Sequence, residues 1–380
     1  MAQSIQIDVV LDEAGFRDLE PEWNPLLQRS SSNSVFLTFE YLHLWWEVYG
    51  KDYRLFIFTA RDEEGRLIGI APMMSGFGHV FPRKLFRHLT FMGGLGDSLA
   101  EYQDFIVEPG LEAEVTPRLY ESMIRDVEAD WDLLFLPLVN EESAVLPHLL
   151  KAIPEHGAYS FQLSSRPSPN IPLPGDWDEF LRSKSKNFKK QFKNQWNRLH
   201  KNHCVEWVEA DRDISIEDAM KVLTELNLQR WGDAGKAFKS DAFSEFHQRL
   251  AESFREKDWL YLRLLKVDGQ WAGARYDYVY GGKLWNYQNG WLPQMSNLSL
   301  GKLLIGHSVQ WCIEQGLKEY DFLAGDSSYK LSWATRTRHL LTIEILNPAS
   351  RKAAAFEQLR MLRSLMDSRK QANQSEAEAA

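Results

Sequence analysis

Apolar and polar positions alternate along this chain with two different periods, and their order predicts the elements. Residues 16–28 and 39–49 carry apolar side chains at helical spacing, and residues 53–60 and 67–74 read as strands joined through Glu63-Glu64-Gly65. The same strand–turn–strand pattern returns at 259–267 and 271–279, where Asp268-Gly269 is a favoured hairpin turn, and a third run at 284–289 follows Gly281-Gly282. A helix is then predicted from Ser299 as N-cap. Leu303, Leu304, Val309 and Ile313 form its buried face, and Gly316 stands just past its end. Tyr320, Phe322 and Leu323 read as a short strand ended by Gly325.

The helix start and strand end bring candidate chemistry together. An uncrowded first turn, Ser299-Leu300-Gly301-Lys302, exposes main-chain N–H groups at the positive end of the helix dipole, which suits a phosphate or pyrophosphate. The ordinary reading of the same residues is an αβ connection. Asp326, Tyr329 and Lys330 follow at the C-terminal end of the strand.

Composition narrows the possibilities. The chain has 380 residues, 44% of them hydrophobic, with 14 Trp, 13 Tyr and 21 Phe, which is enough for substantial cores and more than one domain. Its two cysteines, Cys204 and Cys312, lack metal-ligand spacing, and neither a disulfide framework nor a zinc site is indicated. No leader pattern and no run of 18 apolar residues is present, so the expectation is a cytoplasmic, soluble protein without a transmembrane segment. A net charge of −9 argues against general nucleic-acid binding. One segment departs from that average: residues 182–203 hold eight Lys or Arg and no Asp or Glu, with Phe188, Phe192, Trp196 and Leu199 at helical spacing. It reads as an amphipathic basic helix, either simply docked by its aromatic stripe or facing an anionic partner. No His pattern suggests a metal, and no nucleophile elbow suggests Ser-His-Asp catalysis.

Residues 166–176, within a stretch of four prolines, are the expected linker between an N-terminal domain, 1–165, and a C-terminal domain, 177–348. Residues 349–380 are expected to be a helix and a disordered tail. Gly65-Arg66-Leu67-Ile68-Gly69-Ile70 and Gly269-Gln270-Trp271-Ala272-Gly273-Ala274 share G-x-x-x-G, a faint internal repeat. The first half shows no equivalent of the 299–330 unit, so a site built on such a unit is expected in the second half alone.

Asp321-Phe322-Leu323-Ala324-Gly325-Asp326, with Tyr329-Lys330 and Trp333, resembles the terminal signature of the GNAT-type acyltransferase domain in CelD-like and BioF-like proteins, relatives of the Fem peptidoglycan aminoacyl ligases. The resemblance runs through Gln229-Arg230-Trp231, the basic segment and Val35-Phe36-Leu37-Thr38-Phe39. It departs from the family at Ser299-Leu300-Gly301, where Ser-Pro-Gly is usual, and at Gly325-Asp326-Ser327-Ser328, which lacks an arginine, a glutamate and a proline. The resemblance implies an α/β (α+β) fold of tandem GNAT-like domains, each a mixed, mostly antiparallel sheet flanked by helices. It also implies acyl-CoA as co-substrate and an amine acceptor: a small molecule, an amino sugar or a cell-envelope or polysaccharide precursor. Donor contacts are expected from Asn297, Ser299, Leu300, Gly301 and Lys302. Acceptor contacts are expected from Arg230, Trp231, Tyr278, Tyr102 and Asp104. Catalytic roles fall to Tyr329 as acid to the leaving sulfur, Lys330 against phosphate or carbonyl charge, and Asp326 toward the acceptor amine. Competing readings are a Fem-like transferase using aminoacyl-tRNA, and a degenerate, non-enzymatic component of a polysaccharide-synthesis assembly.

Overall fold

The computed structural model describes residues 4–78, 83–95, 97–127, 131–155, 161–232 and 237–358. In the first half, β1 (Gln6–Val10), α1 (Glu13–Asp18), α2 (Glu20–Arg29) and α3 (Phe39–Tyr49) precede β2 (Arg54–Arg61), β3 (Leu67–Phe77), β4 (Arg87–Phe91) and β5 (Ile106–Val107). Then come α4 (Glu112–Asp126), β6 (Leu133–Asn140), α5 (Leu146–Glu155) and β7 (Phe161–Pro172). The second half has α6 (Trp177–Ser183), α7 (Lys186–Asn202), β8 (Val205–Glu209), α8 (Ile216–Trp231), α9 (Asp241–Arg255), β9 (Leu260–Val267), β10 (Gln270–Tyr280) and β11 (Lys283–Trp291). It ends with α10 (Leu300–Glu314), β12 (Glu319–Asp321), α11 (Ser328–Trp333) and β13 (Arg336–Leu346).

Among the described residues, 13 strands join in one mixed, mostly antiparallel sheet, ordered β1-β2-β3-β4-β6-β13-β7-β12-β11-β10-β9-β8 with β5 beside β3. The two halves repeat one connectivity. Four strands are antiparallel neighbours, a helix crosses over, and the next strand returns parallel: β6 beside β4, and β12 beside β11. The first half therefore does contain the counterpart of the 299–330 unit, in α4 and β6. What α4 lacks is the chemistry, because Glu112 and Glu114 occupy its first turn and oppose an anion there.

The expected linker is corrected. Residues 161–172 form β7, paired with β13 over ten positions and with β12 over three. Prolines fit in this inner strand because Pro167 and Pro169 turn their carbonyls toward Gly325 and Phe322 N–H (2.8 and 3.0 Å), beyond the last β12 rung, where a regular ladder has ended. The last strand of each half thus lies beside the other half's parallel strand, and the sheet runs across the expected domain boundary. Of the expected C-terminal helix, residues 351–358 are helical, and the rest lies outside the described residues.

Two cores cover the halves and a third joins them. Phe192 of α7 packs so closely on α10 that a Cβ at Gly306 would sit 2.3 Å from its ring. The joining core brings Trp23, Phe36 and Trp45 together with Phe246, Tyr278 and Trp285. The predicted aromatic stripe of the basic segment is accordingly core, with Phe188, Phe192 and Leu199 buried, while Lys186, Lys190, Lys193 and Lys201 face outward.

One buried ion pair shapes the cleft side of the sheet. Opposite Asp277, β11 carries an extra residue between Trp285 and Gln288, and the N–H of Tyr287 in that bulge donates to Asp277 Oδ1 (2.9 Å). Asp277 Oδ2 accepts from Arg275 Nε and Nη2 (3.0 and 2.6 Å), and Arg275 Nη2 also reaches Tyr320 Oη (2.7 Å) on β12. Both charges are sealed, at 2% and 0% exposure, and burial pushes the Asp277 carboxyl up to about 6 against the pull of Arg275. Asp277→Ala leaves a buried guanidinium without its partner, and a loss of about 3–5 kcal/mol is expected, seen as a lower urea midpoint. Gly290→Val places a Cβ 2.5 Å from Asn227 N and 2.6 Å from Leu226 C of α8; the expected cost from the same titration is about 2–3 kcal/mol.

Candidate active site

The parallel pair β11–β12 lasts three rungs, Lys283↔Glu319, Leu284↔Tyr320 and Trp285↔Asp321, and then opens. On one side the bulge turns β11 away. On the other, Leu323 adopts φ 60°, and the chain beyond it is held by side chains: Lys330 Nζ donates to Leu323 O and Ala324 O (3.2 and 2.7 Å). The Ala324 N–H donates to Glu101 Oε2 (2.6 Å), and Asp321 accepts from Tyr102 Oη (2.5 Å). Both Glu101 and Tyr102 come from the first half, so each half helps to hold the opening.

Two cavities meet at this splay. The first, about 560 Å³, lies between α7 and α10 and includes Ser299, Leu300, Gly301, Lys302, Arg230, Arg275 and Trp291 in its wall. The second, about 470 Å³, is walled by Asp97, Leu99 and Glu101 of the first half and by Asn286–Asn289, Phe322–Ala324 and Lys330 of the second. Asn289 and Tyr329 belong to both walls.

The helix start differs from expectation in a way that matters. Ser299 is left-handed (φ 57°, ψ 37°), and its hydroxyl makes no cap; it accepts instead from Gln195 Nε2 of α7 (3.0 Å). The first turn of α10 is therefore open toward the cavity, with Lys302 Nζ 4.5 Å above the Phe188 ring. At the other end Gly316 closes the helix as expected, with Leu317 N–H reaching back to Cys312 O (3.0 Å).

Burial biases the charges on both sides. It lowers the ammonium groups of Lys302 and Lys330, and it lowers Arg230 to about 10, where the guanidinium lies 4.4 Å from the Trp231 ring and 5.3 Å from that of Trp291. Lys184, lowered to about 8 by burial, ties α6 to the Trp333 and Ala334 carbonyls. Glu101 moves the other way, pushed up to about 7 by burial although Ala324 N–H and Lys330 pull it down.

Of the expected site residues, Ser299, Leu300, Gly301, Lys302, Arg230 and Tyr329 line the first cavity, and Tyr329 and Lys330 line the second. Trp231 is 46% exposed and touches the site through Arg230. Five expectations are corrected. Asp326 is exposed on the turn and lines neither cavity. Asn297 is exposed, and its carbonyl is taken by Arg198. Tyr278 is sealed in the joining core, 3.4 Å from His247, because alternation along β10 turns Arg275 and Asp277 to the site's side of the sheet and Tyr276 and Tyr278 to the core. Tyr102 is buried and braces Asp321 and Ser168 (2.8 Å to the latter). Asp104 is buried as well and holds Ser32 (2.8 Å), Ser143 and the Phe105 N–H (2.9 Å). Glu101, Gln195, Asn289 and Trp291 escaped sequence reading. Glu101 adjoins Tyr102, an expected acceptor contact, but its partner is 223 residues away.

Residues 186–331 match the family model described as an acetyltransferase (GNAT) domain. Among solved structures, the chain is similar to FemX at 10% identity, covering 86% of this chain and 96% of that one with a TM-score of 0.59. It is also similar to a tandem GNAT protein from the clavulanic acid biosynthesis pathway (11% identity, 91% and 100% covered, TM-score 0.50). A third likeness is to L-PGS from Bacillus licheniformis (12%, 92% and 96%, TM-score 0.50). No curated protein matches the chain in sequence. From the start of α7 into α11 the chain thus matches an acetyltransferase (GNAT) domain, and its whole fold is shared with FemX and tandem GNAT structures.

Proposed function

We propose that this acyltransferase moves an acyl group, acetyl in the simplest case, from acyl-CoA to the amine of a small molecule, an amino sugar or a cell-envelope or polysaccharide precursor. The observation that carries the reading is the charge division between the cavities. The first is walled by Lys302 and Arg230 around an open helix start, with Arg275 behind them already paired to Asp277 and no carboxylate among the wall residues, which suits the pyrophosphate of a CoA thioester. The second holds Asp97 and Glu101 beside one cation, Lys330, whose ammonium is taken up by the Leu323 and Ala324 carbonyls, and the two acids suit a cationic amine. The gap beside Asn289 and Tyr329 joins them and would admit the thioester carbon.

In the transfer, the neutral amine attacks the thioester carbonyl, a C–N bond forms, the C–S bond breaks and the departing sulfur takes a proton. The β11 edge beyond Trp285 has no β12 partner, and main-chain groups of this edge would meet the carbonyl oxygen of a thioester seated in the gap. Tyr329, on the wall of both cavities, is positioned to protonate the sulfur. Lys330 holds the end of β12 in place through its two carbonyls. A donor of aminoacyl-tRNA type is the second reading, favoured by the outward lysines of α7; against it, α7 is a single helix of 17 residues, roughly 25 Å, rather than an extended arm.

Calorimetric titration with acetyl-CoA and a longer acyl-CoA tests the donor. Micromolar binding is expected, and Lys302→Glu should weaken it more than about 10-fold, a change of about 1.4 kcal/mol. Because an acid in a helix's first turn favours its dipole, this variant should melt no lower than the wild type. Absence of binding to either thioester overturns the acyl-CoA reading. Lys330→Ala should lower kcat about 100-fold while leaving acetyl-CoA affinity nearly unchanged.

A further inference from the structure

We infer that Glu101, supplied by the first half of the chain, receives the acceptor's ammonium and takes its proton, so that the acceptor is a cationic amine activated in trans by the half that holds no donor. The inference rests on the reading that a thioester occupies the first cavity.

The geometry is specific. Glu101 lies on the segment between β4 and β5, and its Oε2 is fixed by the Ala324 N–H at 2.6 Å, at the very point where β12 leaves β11. Among the described residues no partner takes Oε1, and the residue lines the second cavity. Asp97 stands on the same segment and adds negative charge, while Tyr287, Phe243 and Phe322 give the cavity aromatic walls that suit the body of an organic cation. Asp326, expected to meet the amine, is exposed and lies outside this wall.

The charged and titratable groups facing Glu101 come from every neighbouring element: Lys330 on α11, Asp321 on β12, Arg166 on β7, Tyr287 on β11 and Asp97 on its own segment. Lys330 and Arg166 favour the carboxylate, whereas Asp321 and burial favour the acid, and the balance lies near 7. A base in this range can both accept a proton from an ammonium and release it to solvent. The ammonium proton passes to Glu101, the amine attacks the thioester carbon, and the sulfur leaves as a thiol with a proton from Tyr329; the second proton lost by the nitrogen restores the Tyr329 phenol, and the proton on Glu101 passes to solvent.

Glu101→Gln is the decisive variant, because its amide oxygen can still accept from Ala324 N–H while the base is lost. The assay is thiol release from acetyl-CoA with glucosamine, lysine and spermidine as amines, measured from pH 5.5 to 9. For the wild type, kcat/KM for the amine should rise with pH through about 7 as Glu101 loses its proton. In Glu101→Gln that limb should vanish and kcat should fall at least about 100-fold, with KM for acetyl-CoA unchanged and the melting temperature within about 2 °C. Glu101→Asp should recover part of the rate. A Gln variant that keeps wild-type kcat and the acid limb overturns the inference alone. A wild type that binds acetyl-CoA calorimetrically but releases thiol with none of these amines overturns the acceptor class. A wild type that binds no acyl-CoA removes the donor reading and the inference with it.

Discussion

The site depends on stopping a parallel strand pair after three rungs. Two β-strands in register would continue to bond, so something must occupy the groups that the next rungs would use. On β11 it is Asp277, which takes the Tyr287 N–H and holds the bulge, itself neutralised by Arg275. On β12 it is a set of contacts from elsewhere: prolines of β7 accepting from Phe322 and Gly325, Lys330 binding two carbonyls, and Glu101 accepting the Ala324 N–H. The opening is a fully bonded alternative to a ladder rather than a fault in one. A ligand entering it would meet groups already fixed, which lowers the reorganisation needed at reaction.

The exchange of end strands explains why the halves cannot be separated at the proline-rich stretch. β7 closes the first half in sequence but flanks β12, and β13 closes the second but flanks β6. The seam is reinforced by Arg338 of β13, buried at 3% exposure with Glu319 and Asp321 of β12 around it. The same exchange brings the Glu101–Asp104 segment of the first half to the second half's splay. The halves share a connectivity but differ in use: α10 opens an unobstructed first turn to a cavity, whereas α4 places two glutamates there.

Charge follows this division. A chain of net charge −9 keeps Lys302 and Arg230 in a wall without acids on one side of the gap, and Asp97 and Glu101 beside Lys330 on the other. Burial shifts Lys302, Arg230 and Lys330 down and Glu101 up, each toward its neutral form, and only Lys330 and Glu101 already face an opposite charge, each other's among them.

Local rules were enough to read much of the molecule from its residues. The hairpin turns at Asp268-Gly269 and Gly281-Gly282, the helix closed by Gly316 and the aromatic stripe of α7 all rest on interactions within a few positions, and residue type and period encode these directly. The proline-rich stretch misled because proline is a turn residue by itself and becomes a strand residue only where a partner has ended. Tyr102, Asp104 and Tyr278 looked like contacts for a ligand because polar aromatic and acidic residues signal sites in the abstract; packing of the two halves buried them as braces. The sequence by itself determined most of the helices, the hairpin strands and the residues that match an acetyltransferase (GNAT) domain. Only the tertiary structure decided that β7 and β13 change places, that Ser299 leaves its helix uncapped, and that Glu101 meets Ala324 across 223 residues, because contacts at that separation carry no periodicity along the chain.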